Sequence, residues 1–220
     1  WALSTIQVGI TSIGILSGIV GEKLGYQIAD PGTWCGFPRP AFLSTEDEHF
    51  DSFAAMYYEE VEKLYGKAKY YSMDPFHEGG NTEGVDLAKA GTSIMGAMKK
   101  ANPEAVWVMQ AWQANPREAM VNTLDSGDLL VLDLYSEKLP QWGDPESMWY
   151  REKGFGKHDW LYCMLLNFGG NVGLHGRMEQ LVNGYYNACA HINGKTLRGV
   201  GATPEGIENN PMMFELLYEL

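Results

Sequence analysis

Basic residues are scarce in this chain: 16 Lys and Arg stand against 28 Asp and Glu, a formal net charge of −12. A nucleic-acid-binding surface needs a basic track to neutralise phosphates, and the densest basic cluster here is the pair Lys99-Lys100. No nucleic-acid partner is therefore expected, and a highly sulfated polymer would be repelled at long range unless a local basic patch overcame the field. Cysteine is also rare. Cys35, Cys163 and Cys189 form an odd set without regular spacing, which is neither a disulfide framework nor a CxxC metal site. No apolar run reaches the ~18 residues of a membrane span. Residues 1–20 are apolar but broken by Ser, Thr, Gln and Gly, and they lack the basic leader of a signal peptide, so the chain is expected to begin inside a domain.

Cofactor signatures are missing as well. The run Gly169-Gly170-Asn171-Val172-Gly173 has neither the Lys-Ser/Thr of a P-loop nor GxGxxG spacing. His77-Glu78 lacks the second histidine of an HExxH helix, and His49, His158, His175 and His191 show no paired spacing. No metal or other cofactor is expected.

What remains is an ordinary soluble composition, 45% hydrophobic and 20% charged, with a generous 12% aromatic that includes 7 Trp and 12 Tyr. Such aromatics build either a heavy core or sugar-stacking walls, and composition favours the core. Short apolar runs alternate with helical patterns. Strands are expected at 69–73, 104–110, 129–134, 160–168 and 197–202. Helices are expected at 45–65, 82–101 with Thr82 as cap, 116–126 with Pro116 at the first position, 173–190 and 211–220. Near-continuous apolar strands are buried on both faces, and their alternation with helices implies parallel pairing. The fold class is α/β, a (β/α) barrel or an open doubly wound sheet; about five strand–helix units fall short of a full barrel's eight.

Active groups in such barrels lie just past the C-terminal strand ends. The segments found there are Asp74–Asn81, Ala111–Asn115, Tyr135–Glu137, Asn167–Asn171 and Thr203–Gly206. Glu78 and Glu205 both follow strands in Gly/Pro-rich turns. Two carboxylates without a cofactor suit glycosidic bond cleavage, one as acid and one across the sugar ring. The plain alternative for each is a helix cap or surface charge. Glu137 is a rival because it too follows a strand; Glu83 and Glu208 read as helix-start charges.

The motifs DPFHEGGN, AVWVMQAWQANP, DLLVLDLYSE, YCMLLNFGGNVGLHG and VGATPEGIENNP, in that order, resemble the α-N-acetylglucosaminidases of glycoside hydrolase family 89, from about Gly25 to Leu220. Residues 1–22 match poorly. The resemblance implies a (β/α)8 TIM-type barrel set between a small N-terminal and a large helical C-terminal domain. The chain would hold the later part of that catalytic barrel, and the first strands and both flanking domains would lie elsewhere in the parent protein. It implies a retaining exo-glycosidase acting on terminal α-linked N-acetylglucosamine of glycans, secreted or periplasmic in bacteria or lysosomal. By match to the family motifs, Glu78 is the acid/base and Glu205 the nucleophile. His77 stands where many members carry Asn. Trp34 and Trp112 are pocket-lining aromatics, and Glu137, Asn167 and Asn171 are substrate contacts by position. The competing readings are a non-catalytic glycan-binding barrel that kept the pocket and a metal-dependent hydrolase.

Overall fold

The computed structural model describes residues 6–8, 23–30, 32–39, 41–166, 174–205 and 210–220. They form two compact units: residues 1–109 with 114–129, and residues 110–113 with 130–220.

In the first unit three strands run parallel: β1 (Ile6–Val8), β6 (Tyr70–Ser72) and β7 (Val106–Ala111), the last of which continues into the second unit. Tyr70 lies between Ile6 and Val106, and Ser72 between Val8 and Val108. β1 falls in the segment where the sequence reading placed no element. Before β6 come two small antiparallel pairs that the reading also missed, β2 (Ile28–Ala29) with β5 (Phe42–Leu43) and β3 (Thr33–Trp34) with β4 (Phe37–Pro38).

Helix α1 (Phe50–Tyr65) buries Phe50, Ala54 and Tyr58, one stripe at four-residue spacing. The helix expected from 45 starts five residues later. The polar run Thr45–His49 has no apolar stripe, and the Asp47 carboxylate accepts from the backbone N–H groups of Gln27 and His49, which holds the segment in a turn. Helix α2 (Leu87–Ala101) also starts later than expected. Its cap is Asp86, whose side chain accepts from Lys89 N at 3.0 Å, not Thr82, which closes a turn with Val85. The expected helix at 116–126 is only α3 (Glu118–Val121), because the run Asn122–Gly127 is rich in turn formers that take their own local bonds, such as Thr123 Oγ1 to Met120 O at 2.9 Å.

Gly91 lies where α2 crosses α3. A Cβ there would collide with the carbonyl oxygen of Met120, so only glycine allows this approach. Gly91→Ala is expected to destabilise the protein by about 1–3 kcal/mol. Gly96→Ala on the same helix, where a Cβ meets open space, is expected to stabilise it by about 0.5–1 kcal/mol. Denaturant midpoints of the two variants against the parent check both signs.

In the second unit β8 (Leu129–Asp133), β9 (Asp159–Met164) and β10 (Leu197–Ala202) run parallel, with Val131 opposite Trp160 and Gly201 opposite Cys163. Helix α4 (Met178–Ala190) follows β9, and α5 (Pro211–Tyr218) follows β10. The residues between β8 and β9 form turns rather than a helix. They pack through Trp142 and Phe155 on Trp160, with the two indoles stacked at 6.4 Å and the phenyl ring 5.6 Å away. Parallel strands feeding helices are the (β/α)-barrel pattern that the alternation of apolar runs implied.

Candidate active site

The strand ends of the first unit gather Trp34, His77 and Glu78. β6 delivers the chain into the turn Asp74–Gly80, where Phe76 (φ 60°) and Glu78 (φ 50°) take the left-handed conformation. Such backbone is disfavoured for residues with a Cβ and persists only where its surroundings hold it. Gly80 is required because a Cβ there would lie 2.6 Å from Phe76 Cα. The Glu78 carboxylate is half-buried and accepts from Trp34 Nε1 at 2.6 Å, and its carbonyl accepts from Arg39 Nη2 at 2.7 Å. Burial pushes the His77 imidazole below its usual range, and the nearby Arg39 adds to that, while Glu78 opposes it. The ring is therefore neutral at pH 7, and its buried Nδ1 has no hydrogen-bond partner among the described residues. Alongside, Asn115 Nδ2 donates to Asp74 Oδ1 at 3.0 Å, and Trp107 Nε1 donates to Met73 O at 2.8 Å, which fixes the end of β6.

In the second unit the strand ends are laced together. The Thr203 hydroxyl donates to Leu134 O at 3.0 Å and to Met164 O at 3.3 Å, so the exit of β10 is tied to those of β8 and β9. Glu205 lies two residues further on and is exposed. Glu137 is 4% exposed, and its carboxylate accepts from Leu165 N at 3.0 and 3.2 Å and from Leu166 N at 2.8 Å. It thus grips the chain leaving β9, where Leu166 has φ 61°. Trp112 is 7% exposed, stacked on Tyr135 at 6.3 Å and set edge-on to Trp149 at 4.5 Å, in a cluster with Leu134 and Leu165. One flat face meets the Tyr135 ring. Asn167 and Asn171 lie outside the described residues.

The sequence reading missed two groups here. Arg39 gave no signal, because its partner is a backbone carbonyl. Asp133 did give one, a charge inside the apolar run LLVLDL. Asp133 is fully buried and accepts from Gln141 N at 3.0 Å; Gln141 in turn accepts from Arg151 Nε at 2.6 Å and donates to Gln113 O at 3.2 Å. Burial pushes the Asp133 carboxyl up to about 7 against the pull of the Gln141 and Trp142 N–H groups and of Arg151. Burial likewise raises Glu137 to about 7 against the backbone donors of Leu165 and Leu166 and the charge of Arg177.

Both carboxyls hold their proton more tightly folded than unfolded. Their stabilising effect is complete below the ordinary carboxylate range and is lost as pH rises through about 7. Asp133→Asn is therefore expected to flatten the fall in unfolding free energy between pH 5 and pH 8, measured by denaturant titration, a fall on the order of 3 kcal/mol for each such group. An unchanged slope would remove Asp133 as its source.

Among the described residues no group of three His, Cys, Asp or Glu side chains is placed to hold a metal ion, and no helix is long and apolar enough to cross a membrane. Parallel strands whose C-terminal ends carry carboxylates and aromatic rings, bound into place by backbone and indole donors, define a (β/α)-barrel domain. The chain belongs to the α-N-acetylglucosaminidase (NAGLU) tim-barrel domain family, whose profile matches residues 17–220. It is 33% identical over 204 residues to the human α-N-acetylglucosaminidase, covering 86% of this chain and 26% of that protein. It is similar to a family 89 glycoside hydrolase from Clostridium perfringens solved with 2-acetamido-1,2-dideoxynojirimycin, at 34% identity and a TM-score of 0.84 over 97% of this chain and 24% of that one. A form of the Clostridium perfringens enzyme with two Glu-to-Gln substitutions, solved with its substrate GlcNAc-α-1,4-galactose, is similar at 33% identity and a TM-score of 0.85, again over 97% of this chain and 24% of that one. The chain spans about a quarter of the length of these relatives.

Proposed function

We propose that this chain is part of the catalytic barrel of a retaining exo-glycosidase that releases terminal α-linked N-acetylglucosamine from glycans. The observation that carries the proposal is the Glu78 carboxylate, half-buried at the exit of β6 and held by the Trp34 indole in a family whose relatives act on this sugar. In an α-linked N-acetylglucosamine the acetamide and the leaving group share a face, so the acetamide cannot attack the anomeric carbon from behind. The protein must then supply the nucleophile, and Glu205 is the proposed source.

Glu78, protonated, gives its proton to the glycosidic oxygen. The Glu205 carboxylate bonds to the anomeric carbon as the C–O bond breaks, and the aglycone leaves as an alcohol. Water then loses a proton to Glu78 and attacks the same carbon, which releases Glu205 and an α-configured sugar. Two such groups act at ~5–5.5 Å in retaining enzymes, against ~6.5–9.5 Å in inverting ones. His77, as a neutral imidazole, is the proposed donor to the 2-acetamido group. Trp112 and Glu137 are the proposed shapers of the pocket wall, through the cluster and the β9 exit that they hold.

The test is hydrolysis of an aryl α-N-acetylglucosaminide by the full-length protein, with the first-formed anomer read by proton NMR. An α product that survives a strong chelator is expected. A β product would replace retention with inversion, chelator-sensitive turnover would point to a metal, and binding without turnover would leave a glycan-binding barrel.

A further inference from the structure

We infer that Trp34 is a positioning residue for Glu78, and that it determines which carboxyl oxygen carries the transferable proton. The inference rests on the acid/base role proposed for Glu78 and adds to it a mechanism of orientation.

The β3–β4 hairpin is built to deliver this side chain. Its central residues, Cys35 (φ 49°) and Gly36 (φ 83°), are both left-handed, the pattern of a tight two-residue turn whose twist matches the strands. Trp34 and Phe37 pair across it. The hairpin is tied to residue 78 at two points. Arg39, just past β4, donates its Nη2 to Glu78 O at 2.7 Å and its Nε to Thr33 O at 3.3 Å, so one guanidinium bridges the hairpin and the left-handed turn. The Trp34 indole meets the carboxylate at 2.6 Å. Backbone and side chain of Glu78 are thus restrained separately.

An indole N–H donates and never accepts. In a neutral carboxyl the carbonyl oxygen is the better acceptor, so the oxygen facing Trp34 is the carbonyl and the proton sits on the other one. When that proton has gone to the leaving group, the same indole bond becomes charge-assisted and strengthens. The carboxylate is held in one rotamer through both half-reactions, and one oxygen both gives and recovers the proton. Trp34 is 50% exposed, so burial of the ring is a small part of its value.

Trp34→Phe in the full-length protein keeps an aromatic ring and removes the N–H. On a disaccharide with an unactivated sugar leaving group, kcat/KM is expected to fall about 10- to 100-fold. On a dinitrophenyl glycoside, which needs little acid assistance, it should change less than about 3-fold. Trp34→His, which restores a ring N–H, should recover part of the loss, and Phe37→Ala, on the same hairpin and 72% exposed, should reproduce none of it. In a Glu78→Ala background Trp34→Phe should add nothing, because its effect acts through Glu78. Equal loss on both substrates, additivity with Glu78→Ala, or no loss at all would overturn the positioning role. If Glu78→Ala itself produced no leaving-group dependence, the acid assignment would fail rather than the Trp34 geometry.

Discussion

Glu205→Gly in the full-length protein is expected to abolish turnover, by at least about 10⁴-fold, on natural and activated substrates alike. A nucleophile differs from a binding group in this respect: without it no substrate can form the glycosyl-enzyme, however good its leaving group. Glycine also leaves a space the size of a carboxylate. Azide should enter that space and attack an activated α-glycoside from the opposite face, giving the β-glycosyl azide. Recovery of that product, identified by its anomeric proton coupling, would establish the face of attack as well as the residue. The structure favours a tolerant outcome for the fold, because Glu205 is exposed and the Thr203 hydroxyl ties the β10 exit to Leu134 and Met164. Azide that restores nothing, or that yields the α-azide, would place the nucleophile elsewhere.

Glu78→Ala is expected to divide substrates by leaving group. Loss of general acid assistance costs about 10²- to 10⁴-fold on a disaccharide, whose departing alkoxide is strongly basic. A dinitrophenolate leaves without a proton, so glycosylation should be nearly unaffected and the slow step should become hydrolysis of the intermediate, which has lost its base. Azide should relieve that second step too, here giving the α-azide with retained configuration. The two variants therefore predict azides of opposite anomeric configuration, and one NMR measurement on each separates acid/base from nucleophile. Equal loss on both substrate types would remove Glu78 from the acid role. The variant also frees the Trp34 indole and leaves Arg39 facing an unchanged carbonyl, so the turn should survive.

The strands were legible because burial on both faces writes a continuous apolar run. Val106–Ala111 and Leu129–Asp133 appear in the sequence almost as they do in the fold. Helix starts were not, because a start is decided by whichever local side chain captures the backbone. Asp86 rather than Thr82 caps α2, and Asp47 holds the turn before α1. The β3–β4 hairpin escaped notice because it has only two residues in each strand and its turn pair is Cys35-Gly36, not a common hairpin signal. Acidic residues after strands were visible as a class, but their roles were not. Glu78, Glu137 and Glu205 all follow apolar runs, and nothing local distinguishes a carboxylate engaged by backbone N–H groups some 28 residues away from one held by an indole.

The sequence by itself determined the architecture and the family. Periodic burial and several ordered motifs are local properties of a chain, and they survive translation into structure with little change. What only the tertiary structure decided is which side chains meet. It joined Trp34 to Glu78 across 44 residues, closed the Glu137 carboxylate onto Leu165 and Leu166, and packed the Trp112 ring against Tyr135 and Trp149. Those contacts fix hydrogen-bond partners, burial and proton affinity, and these depend on distances in space that no pattern of neighbours along the chain encodes.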